Sequence, residues 1–248
     1  MSVPGRVVAL EGPSGAGKST AASRLAPRLG GIRLAEAYRR LRPTPSLALG
    51  TPRELAGLEA RLLHEELHRY VEARRLADRG RAVVVDTGFL GPISYSRALV
   101  ALGLAPPSLV GRLVHRAGQA LAHGRWGFPD LTIYLSVGDR ELRRRVATDP
   151  VGHPPAWAAR HSAAGRIERT LYRQVLAPLL GPHFVSVPAS GSPADVVRRA
   201  VRAWRDGPGE PVPDALARRA LRAIARGALP TAPARPGAAG SASPVGNR

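Results

Sequence analysis

The stretch Gly12-Pro13-Ser14-Gly15-Ala16-Gly17-Lys18-Ser19 leaves a chain few ways to fold around it. Three glycines supply the backbone freedom for a tight loop, and a lysine, a serine and Thr20 follow the last of them. The run before it, Arg6 to Glu11, is rich in β-branched and apolar residues, as a strand covered on both faces is. After it, Ala21, Ala22, Leu25 and Leu29 recur at helical spacing until Gly30-Gly31. Strand, glycine loop and helix in that order point backbone N–H groups inward and set a helix N-terminus behind them. Such a loop grips phosphate. Gly12, Pro13, Ser14, Gly15, Ala16, Gly17, Lys18, Ser19 and Thr20 are predicted to hold the phosphates of ATP, with Lys18 between the β- and γ-phosphates and the Ser19 hydroxyl on Mg2+.

Composition sharpens the role of one of these residues. Lys18 is the only lysine in a chain with 37 basic residues, so all the others are arginine. Arginine's planar fork cannot replace a compact ammonium inside a tight loop, and a sequence that uses arginine everywhere else keeps a lysine here. The formal net charge of +19 brings in polyanion binding as a second reading. The arginines are spread along the whole chain, however, amid abundant alanine, glycine and proline, which favours solvated helix faces. Nucleic acid is therefore an alternative partner and not the favoured one. The absence of cysteine excludes disulfides and thiolate metal sites. No apolar run reaches the length of a membrane span, and the expected location is the cytoplasm.

Further along, short apolar runs alternate with helical patterns. Strands are predicted at Ile32 to Ala35, Ala82 to Val85, Leu131 to Val137 and His183 to Val187. Thr51, Pro52 and Glu54 mark the start of a long helix, whose inward face is expected to carry Leu55, Leu58, Leu62, Leu67 and Val71. Helices are also expected at Pro92 to Ala101, Pro107 to His123 and about Ser162 to Leu180. One capped by Asp139 should carry Arg140, Arg143, Arg144 and Arg145, and a closing one should run from Ser192 to Trp204. The alternation predicts an α/β, P-loop NTPase fold: a five-stranded parallel sheet with helices on both faces. Residues 1–206 form the expected domain, with a lid region at about 140–170. Residues 207–248 read as a Pro/Gly/Ala-rich tail, with a short helix at 213–226 and the remainder disordered.

Ligands of such sheets bind beyond the carboxyl ends of the strands. Asp86 ends the third strand, where it would hold Mg2+ with Ser19, and Glu36 ends the second, where it would activate or orient an acceptor hydroxyl. Arg143, Arg144 and Arg145 cannot all face one way on a helix, and Arg144 is the candidate for the transferring phosphoryl group. Arg160, Arg166 and Arg169 flank the loop from Thr148 to Pro155 and are further lid candidates. Phe89, Tyr95, Trp126 and Phe128 are candidates to stack on a base, with core packing as their default.

The loop Glu11 to Thr20, the segment Asp86-Thr87-Gly88-Phe89 through Ser94-Tyr95, and Pro129-Asp130-Leu131-Thr132-Ile133-Tyr134-Leu135 with the arginine-bearing helix after it together resemble the thymidylate kinase and nucleoside kinase group of P-loop phosphotransferases. The resemblance covers about Arg6 to Trp204. It implies phosphoryl transfer from Mg·ATP to a small acceptor, with Asp86 and Glu36 as the acids after the third and second strands and Arg143 to Arg145 at the entry to the lid. The chain departs from thymidylate kinases in having Thr87-Gly88 after Asp86, where they carry an Arg-Tyr pair, and in lacking their Glu-Pro-Gly at Glu36. Arg39, Arg40 or Arg97 would have to hold a monophosphate instead. The acceptor thus stays open among nucleosides, nucleoside monophosphates and other small alcohols, and a homodimer is compatible with the group. An ATPase or GTPase switch acting with a nucleic-acid or protein partner is the alternative, and a nucleotide-binding regulator with little turnover is a third class.

Overall fold

The computed structural model describes residues 5–45, 51–148 and 155–226. Its centre is a parallel five-stranded sheet in the order β2-β3-β1-β4-β5. The strands are β1 (Val7–Glu11), β2 (Ile32–Leu34), β3 (Val83–Asp86), β4 (Leu131–Ser136) and β5 (Phe184–Pro188), each within a residue or two of the predicted span. Helices α1 (Lys18–Arg28), α2 (Ala37–Arg40), α3 (Pro52–Asp78), α4 (Gly91–Ala101) and α5 (Ser108–Ala122) come before β4. Between β4 and β5 lie α6 (Asp139–Ala147), α7 (Pro155–Thr170), a π-helical segment (Leu171–Leu176) and α8 (Ala177–Leu180). The chain then adds α9 (Pro193–Asp206) and α10 (Asp214–Arg226).

Alternate residues of each central strand feed two separate cores, which is why the strands read as continuous apolar runs. Val7, Ala9, Val83, Val85 and Tyr134 face a core shared with α3, α4, α5, the π segment and α10. Val8, Leu10, Val84, Leu131, Ile133 and Leu135 face a second core under α1 and α9. Helices therefore cover both faces.

Several local expectations change in the folded chain. The packed body runs on to Arg226, past the boundary at Asp206 drawn from composition. Ala217, Ala220, Leu221 and Ile224 line one face of α10 and are buried in the first core. Alanine and arginine hide this stripe in the sequence, yet small alanines let the helix seat closely. Residues 227–248, expected to be disordered, lie outside the described residues, as does most of the predicted Thr148 to Pro155 loop. The α6 helix is capped by the extended backbone of Gly138, with Asp139 as its first residue. The capping box of α3 forms as predicted, with Thr51 accepting from the Glu54 N–H.

The largest change concerns the face that α3 buries. Leu58, Leu62, Leu67 and Val71 are only half-buried, whereas Leu55, Glu59, Leu63, Glu66, Arg69, Ala73 and Ala77 point inward. The stripe still has helical period, rotated from the leucine-rich one, and it carries charge into the interior. Downstream, α7 passes into the π segment two turns before β5. Pro178 has no N–H to give the carbonyl of Gln174, which loosens the ladder there.

Candidate active site at the carboxyl edge of the sheet

Gly12, Gly15 and Gly17 take φ of 139°, 82° and 90°, the left-handed conformations that the loop needs. A Cβ on Gly12 would stand 2.7 Å from the Leu135 carbonyl oxygen, so the loop is also pressed against β4. The Lys18 ammonium bends back over it and donates to the carbonyls of Gly12 (2.8 Å) and Pro13 (3.1 Å). The N-terminus of α1 has no side-chain cap and no acid in its first turn, whereas α3 and α9 each carry a capping box. Its free N–H groups and positive dipole end are therefore directed at whatever the loop holds. A lysine, inward N–H groups and an uncapped helix start form a donor set that fits a nucleotide's phosphates.

Strand register brings the second element in. Leu10 of β1 pairs with Asp86 of β3, which sets the carboxylate beside the loop. Ser19 Oγ donates to Asp86 Oδ1 at 3.2 Å, and Asp86 is fully buried. A hydroxyl and a carboxylate meeting at the loop are the hard oxygen donors that suit Mg2+. Asp86 has a second partner that sequence reasoning missed: Arg33 on β2 reaches Oδ2 at 2.6 Å and Ser23 Oγ at 2.7 Å. Nothing in the linear sequence marks Arg33 among so many arginines, and only the parallel pairing of β2 with β3 brings it here. Arg69, itself fully buried, donates to the carbonyls of Asp86 (2.9 Å) and Thr87 (3.1 Å) and is ion-paired with Glu66. It thereby holds the turn after β3, where Thr87 adopts φ 62°.

The other predicted residues divide. Glu36 precedes α2 at the same sheet edge and pairs with Arg39 at 3.0 Å. Arg144 turns away: it is largely exposed and held by Glu141, whose carboxyl is pulled down to about 2 by hydrogen bonds from Arg144 and Arg145. Arg145 is the arginine that reaches the loop, donating to the carbonyls of Ala16 (3.3 Å) and Ala189 (2.7 Å). Successive residues on a helix are rotated by about 100°, so neighbouring arginines cannot share a target. Arg169 pairs with Asp139 at 2.5 Å, and Arg166 is exposed. Arg145→Ala should weaken nucleotide binding by about tenfold, while Arg144→Ala changes it less than about twofold, as measured by calorimetric titration of both variants with ATP. An equal effect of the two would overturn this assignment.

Of the aromatic candidates, Phe89, Trp126 and Phe128 are packed into the first core. Tyr95 is half-buried and stacks on His161 with ring centroids 5.2 Å apart. Glu59 and Glu168 lie near it, and they belong to a set of acids that the sequence did not announce. Glu11, the residue before the loop, and Glu59 and Glu66 on α3 are buried; Glu168 on α7 is half-buried. Burial drives all of them up, Glu11 and Glu168 to about 7 and Glu59 and Glu66 to about 8, from an ordinary 4.5. Gly88 makes room for one of them, since a Cβ there would stand 2.2 Å from Glu11 Oε1.

These raised values give stability a definite pH slope. Above about pH 4.5 the unfolded chain releases protons that the folded chain keeps until about pH 7 to 8. The contribution of the neutral acids is fully present below the unfolded value and is lost as the pH rises through the folded values. Each retained proton costs about 1.4 kcal/mol of stability per pH unit in that window. The urea-unfolding midpoint should therefore fall between about pH 5 and about pH 8, and Glu59→Gln should flatten the fall. A variant with the same slope as the parent would show that Glu59 keeps no such proton.

Comparisons with known proteins agree with this geometry. A deoxyadenosine kinase from M. mycoides, in a structure with bound dATP, aligns with a TM-score of 0.63 at 14% identity, covering 81% of this chain and 99% of that one. The thymidylate kinase of Candida albicans aligns with a TM-score of 0.58 at 13% identity, covering 85% of this chain and 96% of that one. At such identities the likeness is one of fold. No curated protein matches the sequence. The family model of the AAA domain matches residues 7–148, from the first strand through the loop, Asp86 and the helix that carries Arg145. With its phosphate loop, its Ser19–Asp86 pair and its first four strands inside that match, the chain belongs to the AAA domain family and has the fold of P-loop nucleoside and nucleotide kinases.

Proposed function

We propose that the protein is a phosphotransferase that moves the γ-phosphoryl group of Mg·ATP to a small acceptor, a nucleoside or a nucleoside monophosphate being the first class to examine. The observation that carries this reading is the meeting of Ser19 and Asp86 at an uncapped α1 N-terminus under a glycine loop. The loop N–H groups, Lys18 and Arg145 would hold the phosphates, and Ser19 and Asp86 would hold Mg2+. Mg·ATP supplies the activated phosphoryl group and the charge that neutralises its oxygens. The protein's part is to align the acceptor oxygen with the γ-phosphorus, take up the hydroxyl proton as the new P–O bond forms and the bond to ADP breaks, and exclude water. Glu36 stands at the same sheet edge as a proton acceptor for that step.

The similarity in fold to a deoxyadenosine kinase and a thymidylate kinase supports this reading over a switch ATPase. The test is ADP formation from Mg·ATP by purified protein against nucleosides, nucleoside monophosphates, small alcohols and nucleic acids, with Lys18→Ala as control. Acceptor-dependent turnover that disappears in the control is the expected result. Turnover indifferent to every small acceptor and raised by nucleic acid would replace the kinase with the switch.

A further inference from the structure

The chain carries 37 basic residues against 18 acidic ones, yet beside Lys18 and between α3, α4 and α7 the balance inverts. Glu11, Glu59, Glu66 and Glu168 gather there, linked through buried or half-buried polar groups. Glu168 accepts from Ser94 Oγ at 3.0 Å and lies within electrostatic reach of Lys18, Glu11 and Glu59. Glu66 is answered by Arg69. Arg160 faces Glu59 and Tyr95. Arg69, Arg160 and Lys18, which also donates to the loop carbonyls, thus stand among four carboxyl groups, which outnumber these cations once the pH passes about 7 to 8.

Several polar atoms in this region have no partner. Glu59 is only 3% exposed, and its Oε2 makes no hydrogen bond among the described residues. The Tyr172 hydroxyl lies beside Glu11 and Ser94, and that of Tyr95 beside Arg160, without a well-aligned bond in either case. Arg160 Nε and Nη1 are unpaired as well. Buried polar atoms left unpaired are costly, and such a mixed group around one spot is what a ligand carrying both donors and acceptors, as a hydroxyl does, would satisfy. Meanwhile, two of the three arginines that the sequence offered for an acceptor phosphate are taken. Arg40 sits on Glu65 and Glu72, each at 2.7 Å, and Arg39 on Glu36.

We propose that the acceptor bears no phosphate: it is an uncharged or amine-bearing alcohol whose donor groups are read by Glu59 and Glu168, and a phosphorylated acceptor is repelled from the same place. This rests on the phosphotransferase reading and narrows its substrate class. Above about pH 7 to 8, where these acids ionise, like charges brought together out of water oppose binding strongly, and a carboxylate lined up with a hydroxyl or ammonium donor favours it. Glu59, on a long helix and with its Oε2 unbonded among the described residues, sets the specificity.

The test uses matched pairs, each nucleoside or amino alcohol against its own phosphate ester, read both as turnover with Mg·ATP and as calorimetric binding in the presence of ADP. Expected is turnover and binding of the unphosphorylated member of at least one pair, with its ester at least about tenfold weaker. Measured at about pH 9, where Glu59 is ionised, Glu59→Gln, which keeps size and loses charge, should narrow that ratio by about tenfold, with a cooperative urea transition showing that the variant folds. Glu168→Gln is the second variant, should Glu59→Gln fold poorly. Tighter binding or faster turnover of an ester overturns the proposal, as does a ratio that neither variant moves or a failure of both members of every pair to bind. Absence of turnover with the binding preference retained would remove the phosphotransferase reading and leave the charge selectivity of these acids standing.

Discussion

Lys18→Arg should abolish turnover almost as completely as Lys18→Ala, by about a hundred- to a thousandfold in kcat, although the charge is kept. The ammonium sits within 2.8 Å of the Gly12 carbonyl and 3.1 Å of that of Pro13, inside a loop already pressed against Leu135. A guanidinium is wider, fixed in a plane and longer by its extra atoms, so it cannot occupy that crown while the three glycines keep their dihedrals. The sequence ran this comparison in advance: arginine stands at every other basic position and not at this one. Single-turnover rates at saturating ATP, with the unfolding midpoint as a folding control, decide the matter. An arginine variant retaining more than about a tenth of the parent's rate would show that Lys18 contributes only a positive charge.

Arg69→Ala should produce the largest loss of stability, about 3 to 5 kcal/mol. Its guanidinium is fully buried, pairs with Glu66 and ties down the carbonyls of Asp86 and Thr87. Removing it strands a buried carboxyl and two carbonyl acceptors together. Glu66→Leu combined with Arg69→Met should recover a good part of the loss, because a matched apolar pair avoids the desolvation of both charges. The recovery should not extend to activity, since the turn that presents Asp86 to Ser19 would still lack its donor. Urea-unfolding midpoints for the single and double variants, measured with turnover, separate the two effects. A single variant within about 1 kcal/mol of the parent would mean that Arg69 is not what holds the turn.

The two results bear on different levels of the same site. Lys18 belongs to a motif whose parts are adjacent in the chain, so its chemistry follows from local spacing. Arg69 acts through a contact between α3 and the end of β3, and no local pattern announces it. The same division runs through the whole site. Ser19 and Asp86 were legible because each stands at a strand end or helix start, where period and turn residues mark the place. Arg33, Arg145 and the interior glutamates were not legible. Arg33 becomes a partner of Asp86 only through strand pairing, and Arg145 differs from Arg144 only by a helical rotation that packing sets.

The acids of α3 show the point most clearly. By hydropathy alone Leu58, Leu62 and Leu67 claim the inward face, yet the helix buries Glu59, Glu66 and Arg69. Of these leucines, Leu67 packs half-buried on the flank of the first core. The outcome goes with the packing of α4 against both α3 and α7, which brings Glu59 within electrostatic reach of Glu168. In α10 the opposite occurs: an alanine- and arginine-rich stretch with no marked apolar run finds a groove and becomes core.

The sequence by itself determined the phosphate loop, the singular place of Lys18, the alternation that makes a parallel sheet with helices on both faces, and the carboxylate that ends β3. All of these depend on residues close together in the chain, where backbone dihedrals and side-chain period act directly. The tertiary structure decided which arginine reaches the loop, which face of α3 turns inward, how far the body extends, and that an acidic interior lies beside the phosphate site of a strongly basic chain. Those depend on helix rotation and on contacts between distant segments, and burial, which gives the glutamates their character, exists only once the helices have closed.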